Sequence, residues 1–68
     1  NPPPPPPPAP PTVIVYHSTS GNDNSRQASC QNNGQGVGVY NAATDTCTVT
    51  TPGGVTPQAP PGNWTIVG

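Results

Sequence analysis

The clearest apolar pattern in the chain is a short run near its amino-terminal end, at residues 12–16 (TVIVY). Its residues are β-branched or aromatic and fit the pleated surface of a sheet, so the run predicts a β-strand. Apolar and polar residues do not alternate within it, and a strand of this kind needs cover on both of its faces. We therefore expect both faces of this strand to be covered.

Four later segments complete a mostly β prediction. Residues 37–40 (VGVY) and 47–50 (CTVT) alternate in side-chain character, and residues 64–67 (WTIV) form a last β-branched run. Residues 28–32 are a candidate short strand. Residues 18–27, rich in Ser and Asn, predict a polar loop. No segment has a supportable helix start.

Proline dominates the other parts of the chain. Residues 1–11 (NPPPPPPPAPP) are a low-complexity arm, and residues 56–62 (TPQAPPG) are a proline-rich connector. Because proline fixes φ and removes a backbone donor, the arm is expected to form a polyproline II helix of about 34 Å. The chain therefore divides into this arm and a small β module at residues 12–68.

The two cysteines, Cys30 and Cys47, predict a disulfide and an extracellular setting, secreted or at a cell surface. In a sequential three-stranded meander they would lie on outer strands about 9.5 Å apart, beyond the roughly 7 Å that a disulfide tolerates between Cα atoms. Either the strands are not in sequential order, or residues 28–32 cross over an end or a face of the hairpin. An intermolecular bridge and two free thiols are the remaining alternatives.

The apolar content is too low for a lone globule. Val and Ile number nine among 68 residues, and Leu, Phe and Met are absent. This share, about 13%, lies below the roughly 20% at which disorder is expected. The only charged residues are Asp23, Arg26 and Asp45, so no self-repulsion opposes association. We expect neighbouring subunits to complete the structure.

The scarcity of charge also excludes partners and chemistry. One Arg and no Lys offer almost nothing to nucleic acid or to an anionic membrane, and no apolar run is long enough for membrane insertion. His17, Ser18 and Asp23 are the only conceivable catalytic set, without an oxyanion hole. Residues 22–24 (NDN) are more typical of a turn than of a calcium site. No catalytic residue, metal or cofactor other than covalent glycans is expected.

Covalent sugar is the better-supported chemistry. Asn63 opens the only N-x-[ST] sequon of the chain. The chain also has nine threonines and four serines, and Thr12, Thr51 and Thr56 adjoin prolines, as in O-glycosylated stalks. These four residues are candidate glycosylation sites.

The arm resembles the proline blocks of hydroxyproline-rich, extensin-like cell-wall glycoproteins, although the serine that precedes each block in that family is absent. The resemblance covers about eleven of the 68 residues and implies hydroxylated, sugar-bearing prolines in an extracellular matrix. The candidate positions are Pro2, Pro3, Pro4, Pro5, Pro6, Pro7, Pro8, Pro10 and Pro11. No family resemblance extends to residues 12–68.

These features together predict a structural subunit of an extracellular glycosylated fibre or matrix. Its arm and terminal strands would join copies of the chain into a helical or head-to-tail polymer, in part by strand addition. The expected assembly residues are Val13, Ile14, Val15, Tyr16, Trp64, Ile66 and Val67. One alternative is a secreted carbohydrate-binding or adhesion module on a proline linker, with Trp64 or a tyrosine stacking on sugar. Another is a trimmed fragment in which the arm is only a spacer.

Overall fold

A computed structural model describes all 68 residues and shows a four-stranded antiparallel sheet with one helix on its face. Strand β3 lies at the centre beside β1, and the order across the sheet is β2-β3-β1-β4. The elements in chain order are β1 (Thr12–His17), α1 (Asp23–Gln31), β2 (Val37–Asn41), β3 (Thr46–Thr51) and β4 (Thr65–Ile66).

Four of the five strands predicted from the sequence are confirmed, with changes in their ends. Strand β1 pairs with β3 along its whole length, from Thr12 opposite Thr51 to His17 opposite Thr46. Strand β2 pairs with the other side of β3. Strand β4 covers only two of the four residues predicted at 64–67 and pairs with the end of β1. The mostly β prediction is therefore correct.

The prediction of a polar loop at residues 18–27 and a strand at residues 28–32 is wrong, because helix α1 occupies Asp23–Gln31. Asn22 caps the helix: its side-chain oxygen accepts a hydrogen bond from the Ser25 N–H at 2.8 Å, and the Ser25 hydroxyl accepts one from the Asn22 N–H at 3.0 Å. This reciprocal pair satisfies two of the unpaired donors of the first turn. The segment also has no β-branched residue to oppose a helix.

The helix supplies the crossing segment that the cysteine geometry required. Cys30, near the end of α1, forms the disulfide with Cys47 of β3 across a Cα separation of 5.7 Å. Both cysteines are fully buried. Gly38 allows this close docking, because an added Cβ there would overlap the carbonyl oxygen of Cys30. The expected intramolecular bridge is confirmed.

The core lies between the helix and one face of the sheet. It consists of Tyr16, Cys30, Cys47 and Val49. The partly buried residues packed against it are Ile14, Tyr40 and Trp64. The expectation that both faces of β1 are covered is wrong within one chain, because a single helix covers only one face.

The proline segments behave differently from each other. Residues 1–11 are exposed throughout and belong to no helix or strand. The molecule measures 58 × 19 × 16 Å, and its radius of gyration is 14.8 Å, against about 11 Å for a compact chain of this length. The connector, by contrast, packs on the module, where Pro57 and Pro60 are buried. The single helix has neither the length nor the apolar character required to cross a bilayer.

Candidate assembly surface

The face of the sheet opposite the helix has no cover, and its composition follows from the strand register. Residues that pair directly across strands point to the same side of a sheet. The pairing therefore makes three parallel rows on this side, which we call the valine–threonine face. The rows are Val37–Thr50–Val13, Val39–Thr48–Val15 and Asn41–Thr46–His17.

Most of the aliphatic side chains of the protein lie outside the core. Val13, Val37 and Val39 on this face are 53%, 67% and 62% exposed. Val67, whose N–H donates to the Val15 carbonyl at 2.9 Å, is 59% exposed beside it. Of the nine Val and Ile residues, six are exposed and only Val49 is fully buried. A contiguous apolar surface of this kind marks an interaction site more often than a solvated one.

The threonines of the face supply polar groups without charge. The Thr46 hydroxyl lies 2.7 Å from that of Thr44, whereas the Thr48 and Thr50 hydroxyls make no hydrogen bond within the protein. These two hydroxyls can donate to acceptors on a partner. No Lys, Arg, Asp or Glu lies in the three rows. The face therefore fits a partner that is uncharged, partly apolar and rich in acceptors.

A groove of about 700 Å³ extends this surface toward the base of the arm. Val37 and Thr50 line both the groove and the face. The amide side chains of Gln31, Asn32 and Gln35 line its other parts. These amides can donate hydrogen bonds to carbonyl groups of an entering chain.

All three charged residues of the protein meet in one cluster away from this surface. Arg26 donates from Nε to the Tyr40 hydroxyl at 2.8 Å, and from Nη2 to Asp23 at 2.8 Å and Asp45 at 3.3 Å. Its Nη1 donates to the carbonyls of residues 20 and 21. The hydrogen bond to Tyr40 is the main cause that raises the pKa of the Arg26 guanidinium. The only cation is thus committed to the fold and is not available to a partner.

Tyr40 is the centre of this cluster. Its hydroxyl lies 3.1 Å from Asp23 Oδ1 and 3.3 Å from Asp45 Oδ1. Burial raises the pKa of the Tyr40 phenol, opposed by the hydrogen bond from Arg26 and assisted by the one to Asp23. The phenol therefore remains neutral and links α1 to the turn between β2 and β3.

The structure divides the expected assembly residues into two groups. Val13, Ile66 and Val67 are exposed and open to contact. Ile14, Val15 and Trp64 are half-buried, and Tyr16 is buried in the core. Of the second group, Tyr16 reaches a neighbour only if a strand is exchanged, whereas Val15 lies in the valine–threonine face.

The candidate glycosylation sites differ in how exposed they are to solvent. Thr51 is 1% exposed, and its hydroxyl donates to the Val55 carbonyl at 2.7 Å, so it has no room for a sugar in the folded protein. Thr12 is half-buried, whereas Thr56 and Asn63 are exposed. The nine prolines of the arm are exposed as well. Thr51 is therefore no longer a glycosylation candidate, and the other positions remain predictions.

The conceivable catalytic set does not assemble. The Ser18 hydroxyl accepts a hydrogen bond from the Ser20 N–H, Asp23 pairs with Arg26, and His17 lies in the valine–threonine face without a hydrogen bond to either. No three His, Cys, Asp or Glu side chains converge in a way that fits a metal ion.

The chain matches no protein-family model, no curated protein and no solved structure. The candidate site is therefore defined by the residues of this chain alone. Sequence reasoning missed Val37, Val39, Thr48 and Thr50 as surface residues. Their alternation was a usable signal, but it did not tell which side of the sheet is covered.

Proposed function

We propose that this protein is a structural subunit of an extracellular, glycosylated fibre or matrix, in which the arm of one copy binds the next copy. The observation that carries the proposal is the uncovered valine–threonine face, on which Val13, Val37 and Val39 are exposed and no free charge lies beside them. A lone subunit leaves this surface in water, and association would bury it.

The arm is the occupant that fits the face best. A polyproline II segment presents ring carbons and free carbonyls, and its prolines have no N–H to donate. The surface supplies what such a segment lacks, namely the Thr48 and Thr50 hydroxyls and the amides of Gln31, Asn32 and Gln35. Neither partner has a charged side chain, so no ion is desolvated when they meet.

The base of the arm of the same molecule is anchored beside the groove, and Pro11 lines the groove. An added Cβ on Gly53 would overlap the Ala9 carbonyl, so the base of the arm packs directly on the turn that follows β3. The arm then accounts for the long dimension of the molecule. Because the donating arm and the accepting face are different surfaces, the contact is head-to-tail and continues from copy to copy.

The terminal strands add a second contact. Strand β4 leaves its outer edge unpaired, with Ile66 63% exposed. An unpaired edge accepts a strand from another chain. Exchange of β1 between copies would also involve Ile14 and Tyr16, which are otherwise internal. Sugars on the exposed prolines, Thr56 or Asn63 would cover the remaining surface.

Electron microscopy and intact mass of the secreted protein test the proposal together. We expect filaments, and a mass above the 6.8 kDa of the polypeptide. A variant that lacks residues 1–8 retains Ala9 against Gly53 and should remain monomeric with an unchanged unfolding curve. A control arm of equal length, with residues 2–8 replaced by glycine and serine, should assemble poorly because it is flexible. Full-length protein that remains monomeric at high concentration, or filaments that form equally well without the arm, would refute the proposal.

A further inference from the structure

A small cleft lies between helix α1 and residues 61–64, separate from the valine–threonine face. Its volume is about 190 Å³. Ser18, Ser20, Ser25 and Ser29 line the cleft together with Pro61, Gly62, Asn63 and Trp64, and Arg26 lines it as well. We infer that this cleft binds one neutral sugar ring.

The walls are fixed before any ligand arrives. The Trp64 indole N–H donates to the Pro61 carbonyl at 3.0 Å, which holds the ring in place. The Asn63 side-chain amide donates to the Ser20 hydroxyl at 3.3 Å and ties the two walls together. Binding would therefore order few side chains, which lowers its entropic cost.

The polar groups of the cleft have unused capacity. Ser18 is 4% exposed, and its hydroxyl accepts from the Ser20 N–H at 3.2 Å while its own proton has no acceptor in the protein. The Ser29 hydroxyl makes no hydrogen bond. Closely spaced hydroxyls beside an aromatic ring complement the hydroxyls and the C–H face of a pyranose.

Charge and size narrow the ligand further. Arg26 is the only charged residue that lines the cleft, and it is already paired with Asp23 and Asp45, so the cleft offers no free cation to an anionic sugar. The volume equals that of about six water molecules, which is room for one ring and too little for a disaccharide. The ligand is therefore a neutral monosaccharide unit, either free or as part of a glycan.

This sugar unit has two candidate sources, a glycan attached to Asn63 and a sugar that enters from solvent. The Asn63 amide nitrogen is both the acceptor atom of the sequon and a wall of the cleft. The first sugar of an attached glycan would begin at this wall. A free sugar, or one from a neighbouring chain, would enter from solvent.

Trp64 is the only tryptophan and lines this cleft, so its fluorescence under native conditions is a probe of binding there. Unglycosylated protein would be titrated with glucose, galactose, mannose and N-acetylglucosamine, with glucuronate as the anionic comparison. We expect a saturable change in emission with at least one neutral sugar and at least fivefold weaker binding of glucuronate. Ser29→Val, which narrows the cleft, should weaken binding at least fivefold, and Thr48→Val on the opposite face should not.

The attached source is tested by comparing protein that carries the Asn63 glycan with protein produced without it, because enzymatic release by a peptide N-glycanase would convert Asn63 to aspartate and add a charge to the cleft. If the glycan fills the cleft, its absence changes the Trp64 emission and permits free sugar to bind. Ser18→Ala provides a second variant that keeps the wall but loses one donor, and circular dichroism checks that both variants fold. A flat titration with every neutral sugar, together with emission that is the same with and without the glycan, would overturn the inference. Filament formation is a separate measurement, so this failure would leave the proposed function standing.

Discussion

Replacing Val37 and Val39 together with threonine tests whether the valine–threonine face is an interface. Burying a whole valine side chain is worth about 1.5–3 kcal/mol. Since these two are 67% and 62% exposed, covering what remains is worth about 1 kcal/mol for each. Threonine keeps the branched shape that suits a strand but loses most of this burial free energy. The double variant should therefore lose about 2 kcal/mol of association free energy.

A loss of 2 kcal/mol corresponds to about a 30-fold higher critical concentration for assembly. This quantity can be measured by sedimenting assembled protein from a dilution series. The unfolding free energy of the isolated subunit should change by less than about 0.5 kcal/mol, because the substituted side chains already lie in water. Denaturant unfolding followed by Trp64 fluorescence checks this second expectation.

Two single variants provide matched controls. Val55→Thr makes the same change at a position that is 38% exposed and outside the sheet, and it should leave assembly unchanged. Val49→Thr makes the same change at a fully buried position and should destabilise the subunit by about 1–3 kcal/mol. If the double variant assembles at a critical concentration within threefold of the parent protein, the face is not an interface and the reasoning fails.

Three further predictions concern the fold that carries the face. Replacing both Cys30 and Cys47 with alanine should lower the unfolding free energy by about 3 kcal/mol, because the bridge closes a loop of 17 residues; a loss below about 1 kcal/mol in denaturant unfolding would contradict this. Gly38→Ala should cost about 1–3 kcal/mol in the same assay, since the new methyl meets the end of the helix. Because the pKa of Tyr40 is raised in the folded state, the unfolded chain ionises first, and stability should be full below about pH 10 and fall as the pH rises above it. Tyr40→Phe should remove the part of this loss of stability that comes from Tyr40, which unfolding curves at increasing pH would measure. Equal slopes of stability against pH for the two proteins would contradict the assignment.

The sheet was predictable from sequence, and the helix was not. Strands β1, β2 and β3 each have β-branched residues in an extended run, which is a local signal. Helix α1 has only Ala28 and Cys30 as apolar residues, so it shows no helical hydrophobic period. The usable signal was Asn22 with Ser25 three residues later, a weaker form of the usual capping pair with Glu or Gln.

The missed helix explains why the candidate surface was only partly predicted. Alternation in β2 separates Val37 and Val39 from Gly38 and Tyr40, but it cannot say which set faces a helix that has not been recognised. The two cysteines gave the nearest indication of the crossing, because a disulfide between Cys30 and Cys47 required residues 28–32 to cross the sheet or the strands to be out of order. The strand order, with β1 between β3 and β4, depends on pairings between residues distant in sequence, and no local pattern encodes them.

The two faces of the sheet divide the few apolar residues between the fold and the proposed interface. The covered face is held by the disulfide, by the Arg26 cluster and by the packing of Tyr16 and Val49, so the fold uses few aliphatic residues. The remaining valines are thereby free to lie on the open face. A sequence under selection for a lone soluble domain would place charge there, as natural sheets commonly do at exposed edges and faces. Thr46, Thr48 and Thr50, the outward-facing threonines of β3, instead keep the face uncharged and place hydroxyl groups on it, which are properties that the proposed polyproline partner would require.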